Sequence, residues 1–318
     1  MSAPKPFLSY QQQLDKLTDD KNLTISNRVY AEKMLRQYSY FALISGYKEL
    51  FKNPTTKKYK DGTQFEEIVA LYKFDESLRE LFLKYTLIFE LKIKSLLSYY
   101  FTEKHSEAQI HYLSPHNYNT GPVYADDVYK LLSILTAIAV QPNQYGYIDH
   151  QRKKYGNVPL WAVVKALTFG NISYMYRCFP PDLQVKVSKS FAGVRTRELS
   201  RYLKVLTKYR NVCAHNERLF TYRTKDDILD TPLHGKLKIP RRHTQYIYGK
   251  KDLFSVVITL FYVLEAEDFQ AFKNALSEIV GQFLRNVTHV TKEELLRKMG
   301  FPSNWEAISD HVSPSVKP

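Results

Sequence analysis

The chain has 318 residues, enough to bury a sizeable core as one large domain or two. Its 46 Lys and Arg against 32 Asp and Glu leave a formal charge of +14, a surplus that draws polyanions and puts nucleic acid first among expected partners. Two isolated cysteines, Cys178 and Cys213, exclude a disulfide framework and a Cys-based zinc site and fit a reducing cytoplasm. With no Gly-rich phosphate loop and no paired-carboxylate metal site in the sequence, neither metal nor cofactor is expected.

The N-terminal stretch lacks the apolar core of a signal peptide, and the best apolar run, Val128 to Val140, is too short to span a bilayer. No membrane partner is expected. Gly is scarce and alternating runs are few, so the chain reads as mainly α. Ser9 with Gln12 forms a capping box for a first short helix, and Asn27 to Gly46 follows as an amphipathic segment interrupted near Ser39. From Phe65 to about Lys104 no Gly or Pro intervenes, and Ile68, Leu71, Leu78, Phe82, Tyr85 and Phe89 recur as a helical face requires. This is one long helix or two stacked end to end.

Val128 to Val140 reads as a buried helix. Pro159 takes a first helical position leading into Leu160 to Cys178, with Gly170 as the expected interruption. Arg195 to about Arg218 is a further helix, and Leu253 to Leu284 another long one. The last helix is opened by a capping box, Thr291 with Glu294, and closed by Gly300 and Pro302.

Between Thr221 and Asp252 the helical pattern fails, and Pro232, Gly235, Pro240 and Gly249 punctuate a loop-like segment. From Pro232 to Lys251 there are six cations, Lys236, Lys238, Arg241, Arg242, Lys250 and Lys251, and no Asp or Glu. With Tyr246 and Tyr248 among them, the segment offers phosphate-binding charges beside rings that stack on bases. It reads equally as a solvated basic excursion packed on the helices.

The chemistry-bearing residues are Arg210, Asn211 and His215, on the helix that ends near Arg218. RNA cleavage through the substrate's own 2'-hydroxyl needs a base, an acid and a cation on the phosphate. A histidine, which ordinarily titrates near about 6.5, exchanges the protons, and an arginine fork grips the phosphate oxygens. At about 100° per residue Asn211 and His215 share a face, with Arg218 three residues on, whereas Arg210 lies about 140° from His215. Two copies related by a two-fold axis would place two such sets at one phosphate, so a homodimer is the expected assembly.

The run Arg210-Asn211-Val212-Cys213-Ala214-His215 resembles the Arg-(four to six residues)-His motif of HEPN ribonucleases, helical domains that cleave RNA without metal. Its surroundings resemble the abortive-infection AbiD/AbiF-type family: Lys5-Pro-Phe-Leu-Ser-Tyr10 with Gln13 and Leu17, Tyr38-Ser-Tyr-Phe, Gly46-Tyr47, Leu71-Tyr72-Lys-Phe-Asp75 with Leu78-Arg79, and Phe89-Glu90 with Lys94. Val158-Pro-Leu-Trp161, Leu167-Thr-Phe-Gly170, Cys213-Ala-His215-Asn216 and Arg218-Leu-Phe220 continue it, so the likeness covers roughly residues 5 to 220. Such proteins are similar in turn to the presumed ancestors of RNA-guided CRISPR nucleases with paired HEPN domains. The resemblance implies an antiviral RNA endonuclease, with RNA as substrate and a small noncoding RNA as regulator. With the helical pattern and the basic segment, the chain reads as one compact unit of an N-terminal helical region (1–60), a HEPN-like nuclease core (61–220), the basic loop segment (221–252) and C-terminal helices (253–318), the last two outside the resemblance.

Glu90 stands among apolar neighbours where a free carboxylate is costly, and it either orients Arg210 or His215 across a helix pair or pairs with Lys94 one turn on. Asp75 and Arg79 have the spacing of an intrahelical pair. His105, His111 and His116 match no standard ligand spacing, and Cys213, two residues from His215, diverges from it and belongs to the packing. The rival to an RNase is a noncatalytic RNA-binding module whose partner performs the damage.

Overall fold

The computed structural model describes residues 6–142 and 144–310. Residues 1–5, which include Lys5 and all but Pro6 of the N-terminal stretch read for a signal peptide, lie outside the described residues, as do 311–318 of the C-terminal region. Helix α1 (Tyr10–Asp15) opens on the expected capping box, Ser9 Oγ accepting from Gln12 N at 3.3 Å while Gln12 Oε1 accepts from Ser9 N at 2.8 Å. Helix α2 (Arg28–Tyr38) is capped by Asn27 and stopped at Ser39, whose positive φ of 63° turns the chain.

Helix α3 (Phe65–His105) is unbroken over 41 residues, about 60 Å of rod at 1.5 Å per residue. Short α4 (Gln109–Tyr112) is followed by α5 (Ala125–Ala139) and α6 (Gly146–Tyr155). The run expected to be a buried helix is amphipathic: Val128, Leu131, Leu135 and Ala139 face the core while Tyr129 is 76% exposed. Pro159 is the residue before α7 (Leu160–Ala166) rather than its first helical one, with ψ of 154°. The break that follows falls at Thr168, not Gly170, because the Thr168 hydroxyl accepts from Asn171 N at 3.2 Å and caps a new helix, α8 (Phe169–Cys178).

After α9 (Pro181–Lys189) comes α10 (Thr196–Ala214), then α11 (Pro232–Lys236) and a two-residue antiparallel ladder, β1 (Arg241–Arg242) with β2 (Gln245–Tyr246). The helix expected over Leu253 to Leu284 is two, α12 (Leu253–Val263) and α13 (Ala266–Arg285). Nearly every residue of α12 is buried whereas α13 buries one stripe, and the extended residues Leu264 and Glu265 separate them. Helix α14 (Lys292–Met299) has the expected box and stop, with Gly300 at φ 82°. A Cβ there would also meet the Asp252 side chain at 2.5 Å, so only glycine fits.

The rod α3 is the centre of the molecule, with α7, α10 and α13 against it. Phe74 packs on Phe283, and Phe82 and Tyr85 on Phe272, so α13 covers one side. On another side Phe89 meets Phe169 and Phe191. Burying each such ring contributes about 1.5–3 kcal/mol. The N-terminal cap of α3 is tied to the far end of the chain: Glu67 accepts from Gln64 N, from Thr288 N at 2.7 Å and from His289 N at 3.1 Å.

Candidate functional site

Leu199, Tyr202, Leu203, Leu206, Tyr209 and Cys213 form the core face of α10. Arg210 follows this side of the helix toward α3, where its Nε lies 3.5 Å from Glu90 Oε2. Lys94 Nζ lies 2.8 Å from the other Glu90 oxygen, so of the three partners considered for Glu90 two, Arg210 and Lys94, lie beside it, and its side chain is 8% exposed. The Arg210 side chain is 30% exposed. Asn211 and His215 point the other way and are exposed, one turn apart, His215 N donating to Asn211 O at 2.9 Å. Among the described residues no hydrogen bond or ion pair joins Arg210 to either of them.

The helix was expected to reach Arg218 but ends at Ala214. Asn216 takes a left-handed φ of 56°, its N–H bonds Cys213 O at 3.3 Å, and Glu217 N bonds Val212 O at 3.0 Å. Those two bonds are a Schellman stop, for which asparagine is the usual substitute for glycine. His215 is therefore the last residue before the turn. The chain leaves that turn on a fixed path, because Leu219 N and Phe220 N donate to the Asp75 carboxylate at 2.9 and 2.7 Å. Asp75 also accepts from Tyr47 Oη at 2.7 Å and pairs with Arg79 at 2.8 Å. Burial pushes its carboxyl up, and these four partners pull against that. The pairing of Asp75 with Arg79 expected from their spacing is present, within a larger node.

Arg218, placed with Asn211 and His215 by helical spacing, leaves the helix instead and donates to Gly46 O. It lines a cleft of about 340 Å³ with Arg223, Arg297 and Lys298, cations that the sequence reading did not single out. Cys213 packs as expected, its thiol pushed up to about 12 by burial.

The basic segment is more ordered than a loop. Buried His234 holds it: its Nδ1 lies 3.0 Å from Thr231 N and its Nε2 3.0 Å from Gly249 O, and burial lowers its pKa. Tyr246 stacks on His234 at 4.8 Å between ring centres, and the Arg241 guanidinium lies 4.2 Å from the Tyr246 centroid. Gly249 N donates to Asp252, the cap of α12, whose own carboxyl burial pushes up to about 6. Asp230, just before the acid-free stretch, pairs with Lys250 at 2.5 Å and lies 4.0 Å from Arg241. Lys236, Lys238, Arg242 and Lys251 are exposed and make no ion pair among the described residues, and Tyr248 is half-buried. The Tyr209 hydroxyl, 3.0 and 3.1 Å from the carbonyls of Tyr222 and Lys251, ties both ends of the region to α10.

Asp75, Tyr47, His234 and Asp252 are the residues sequence reasoning missed as a scaffold. Asn216 carried a signal, asparagine after the last helical turn, and Thr231 with His234 three residues on carried another. The described residues contain no group of three or more His, Cys, Asp or Glu placed to hold a metal, and no helix long and apolar enough to cross a membrane. A known family described as Abi-like protein matches residues 33–221, from within α2 to just past the Asp75-bound segment. No curated protein and no solved structure matches the chain.

Proposed function

Since the chain belongs to the Abi-like protein family, and with it to phage defence, we propose that it acts there as an RNA endonuclease that needs no metal. The observation that supports this most is the end of α10: exposed Asn211 and His215 on a capped, buried-node-anchored helix, with Arg210 immediately before Asn211 and its Nε 3.5 Å from Glu90 Oε2. The spacing is that of the HEPN motif. In the proposed reaction the 2'-hydroxyl oxygen attacks phosphorus as His215 takes its proton. The bond from phosphorus to the 5'-oxygen breaks, and that oxygen is protonated as it leaves. Products are a 2',3'-cyclic phosphate and a 5'-hydroxyl. Arg210 neutralises charge growing on the phosphate oxygens, Asn211 fixes the geometry, and Glu90 supports Arg210 from behind.

One histidine cannot be base and acid to the same phosphate in a single passage, and Arg210 and His215 leave α10 about 140° apart. The proposal therefore includes a homodimer whose two-fold axis brings both sets together, with a small noncoding RNA as regulator and RNA as substrate.

The test is cleavage by purified protein with chelator present. RNA should be cut to a cyclic phosphate, and an otherwise identical strand with a 2'-deoxy sugar at the cleaved position should bind and survive. Cutting of the deoxy strand at the same rate, or activity that returns only with magnesium, overturns the assigned roles. One observation favours a second reading, a noncatalytic RNA-binding module: the Arg210 guanidinium is engaged with Glu90 and not with His215. Binding without any cleavage would select it.

A further inference from the structure

The side of α10 turned from the core carries Arg197, Arg201, Lys204, Lys208, Asn211 and His215, at alternating spacings of four and three. At 100° per residue all six fall within an arc of about 80°, and from first to last they run about 27 Å. Arg197, Lys208, Asn211 and His215 are exposed, and Arg201 and Lys204 partly so. Arg201 lies 3.3 Å from Asp227, while Arg197, Lys204 and Lys208 make no ion pair among the described residues. Beside the stripe, Lys204 and Lys208 line a cleft of about 260 Å³ with Gly170, Tyr174 and Arg177 of α8 and with Asp226. Arg177 lies over the Tyr174 ring at 4.8 Å and pairs with Asp127 at 2.5 Å, which fixes that wall.

We propose that this face of α10 is the track on which a single RNA strand lies, its phosphates on Arg197, Lys204 and Lys208, so that the strand is delivered to Asn211 and His215. The inference rests on the endonuclease reading for its destination, and on charge and geometry for the track. Cations without an ion pair, two turns and then one turn apart along one face, suit a repeating phosphate, and apolar side chains that would enter a lipid surface are missing from the stripe. The cleft beside it, walled by a tyrosine and an arginine, accommodates an unpaired base. A duplex would present no free base there.

The experiment is fluorescence anisotropy of a short single-stranded RNA on the full chain over a range of salt, with Lys204→Gln/Lys208→Gln compared to wild type. Both lysines face away from the core, and an unchanged melting temperature checks that the variant folds. Affinity should fall, and the slope of log affinity against log salt should shrink by about 1.4, roughly 0.7 for each lost phosphate contact. Lys57→Gln/Lys58→Gln, the same charge change on an exposed turn of the N-terminal region, should leave both unchanged. An unchanged slope in the Lys204/Lys208 variant overturns the track. So does polyaspartate binding as tightly with the same lysine dependence, which would make the partner an acidic protein. Cleavage assays run in parallel separate the two readings. RNA cut normally by the Lys204/Lys208 variant, with KM unchanged, removes the track and leaves the nuclease. Lysine-dependent binding without cleavage keeps the track and removes the nuclease.

Discussion

Two buried aspartates anchor the two basic regions, and they do so differently. Asp75 receives the backbone of Leu219 and Phe220, where the motif helix exits, and it has a guanidinium at 2.8 Å and a phenol at 2.7 Å. Asp252 receives Gly249 and Ser255, where the basic segment returns to α12; the Arg223 charge acts on it, but among the described residues no cation forms an ion pair with it. A carboxylate paired with a charge fixes its segment strongly and fails badly when a partner is removed. One held mainly by backbone N–H groups leaves no buried cation behind when it is removed. Breaking the node at the exit of α10 should therefore cost more than breaking the one where the basic segment returns to α12.

The largest expected effects break the motif side. His215→Ala and Arg210→Ala should each lower the cleavage rate by about 10² to 10⁴ while the protein stays folded, read by single-turnover kinetics beside circular dichroism. Activity regained on mixing the two variants would place the site across a dimer axis; a monomer at working dilution that is fully active would remove the dimer. Next is Asp75→Ala, which leaves Arg79 buried without its partner and frees two backbone donors. It should cost about 3–5 kcal/mol in denaturant unfolding, and a loss under about 1 kcal/mol would mean that the node is not an anchor.

On the other side, Arg241→Ala with Arg242→Ala should weaken RNA binding and reduce the salt slope by up to about 1.4. Because Arg241 already lies near Asp230 and over Tyr246, its share should be the smaller, and single variants would show it. The smallest effect sharpens the contrast in pH. The Asp252 carboxyl, at about 6 when folded against an ordinary value near 3.8, takes up its proton in the folded state first. Wild type should then gain stability relative to Asp252→Asn as pH falls from about 7.5 through 6, and the gain should level off below the ordinary value. A difference between the two that is flat in pH would show the carboxyl to be unshifted.

The caps and periodic faces that place α1, α2, α3 and α14 were legible because each depends on residues three or four apart. The joints at Thr168 and at Leu264 with Glu265 were not, since an apolar run reads as continuous across a cap or an extended pair. At the site, Glu90 was legible as a carboxylate needing a partner, and the structure supplies two of the three considered, Lys94 and Arg210. Arg218 was misplaced because helical spacing was carried past a stop that Asn216 imposes. The bonds from Asp75 to Leu219 and Phe220 join positions more than 140 residues apart, a distance over which no local pattern reaches.

The same long reach has a consequence for synthesis on the ribosome. Phe82 on the central rod waits for Phe272, and Glu67 for Thr288, each roughly 200 residues later in the chain. At 5–20 residues per second that is an interval of about 10 to 40 s in which the rod has been made and its cover has not. The stretch matched by the family ends at 221, before any of α13 exists. A nascent chain that has just delivered His215 thus carries its motif on a rod still bare along the side that α13 will close, and it is in this window that a chaperone or an early-binding RNA would find it.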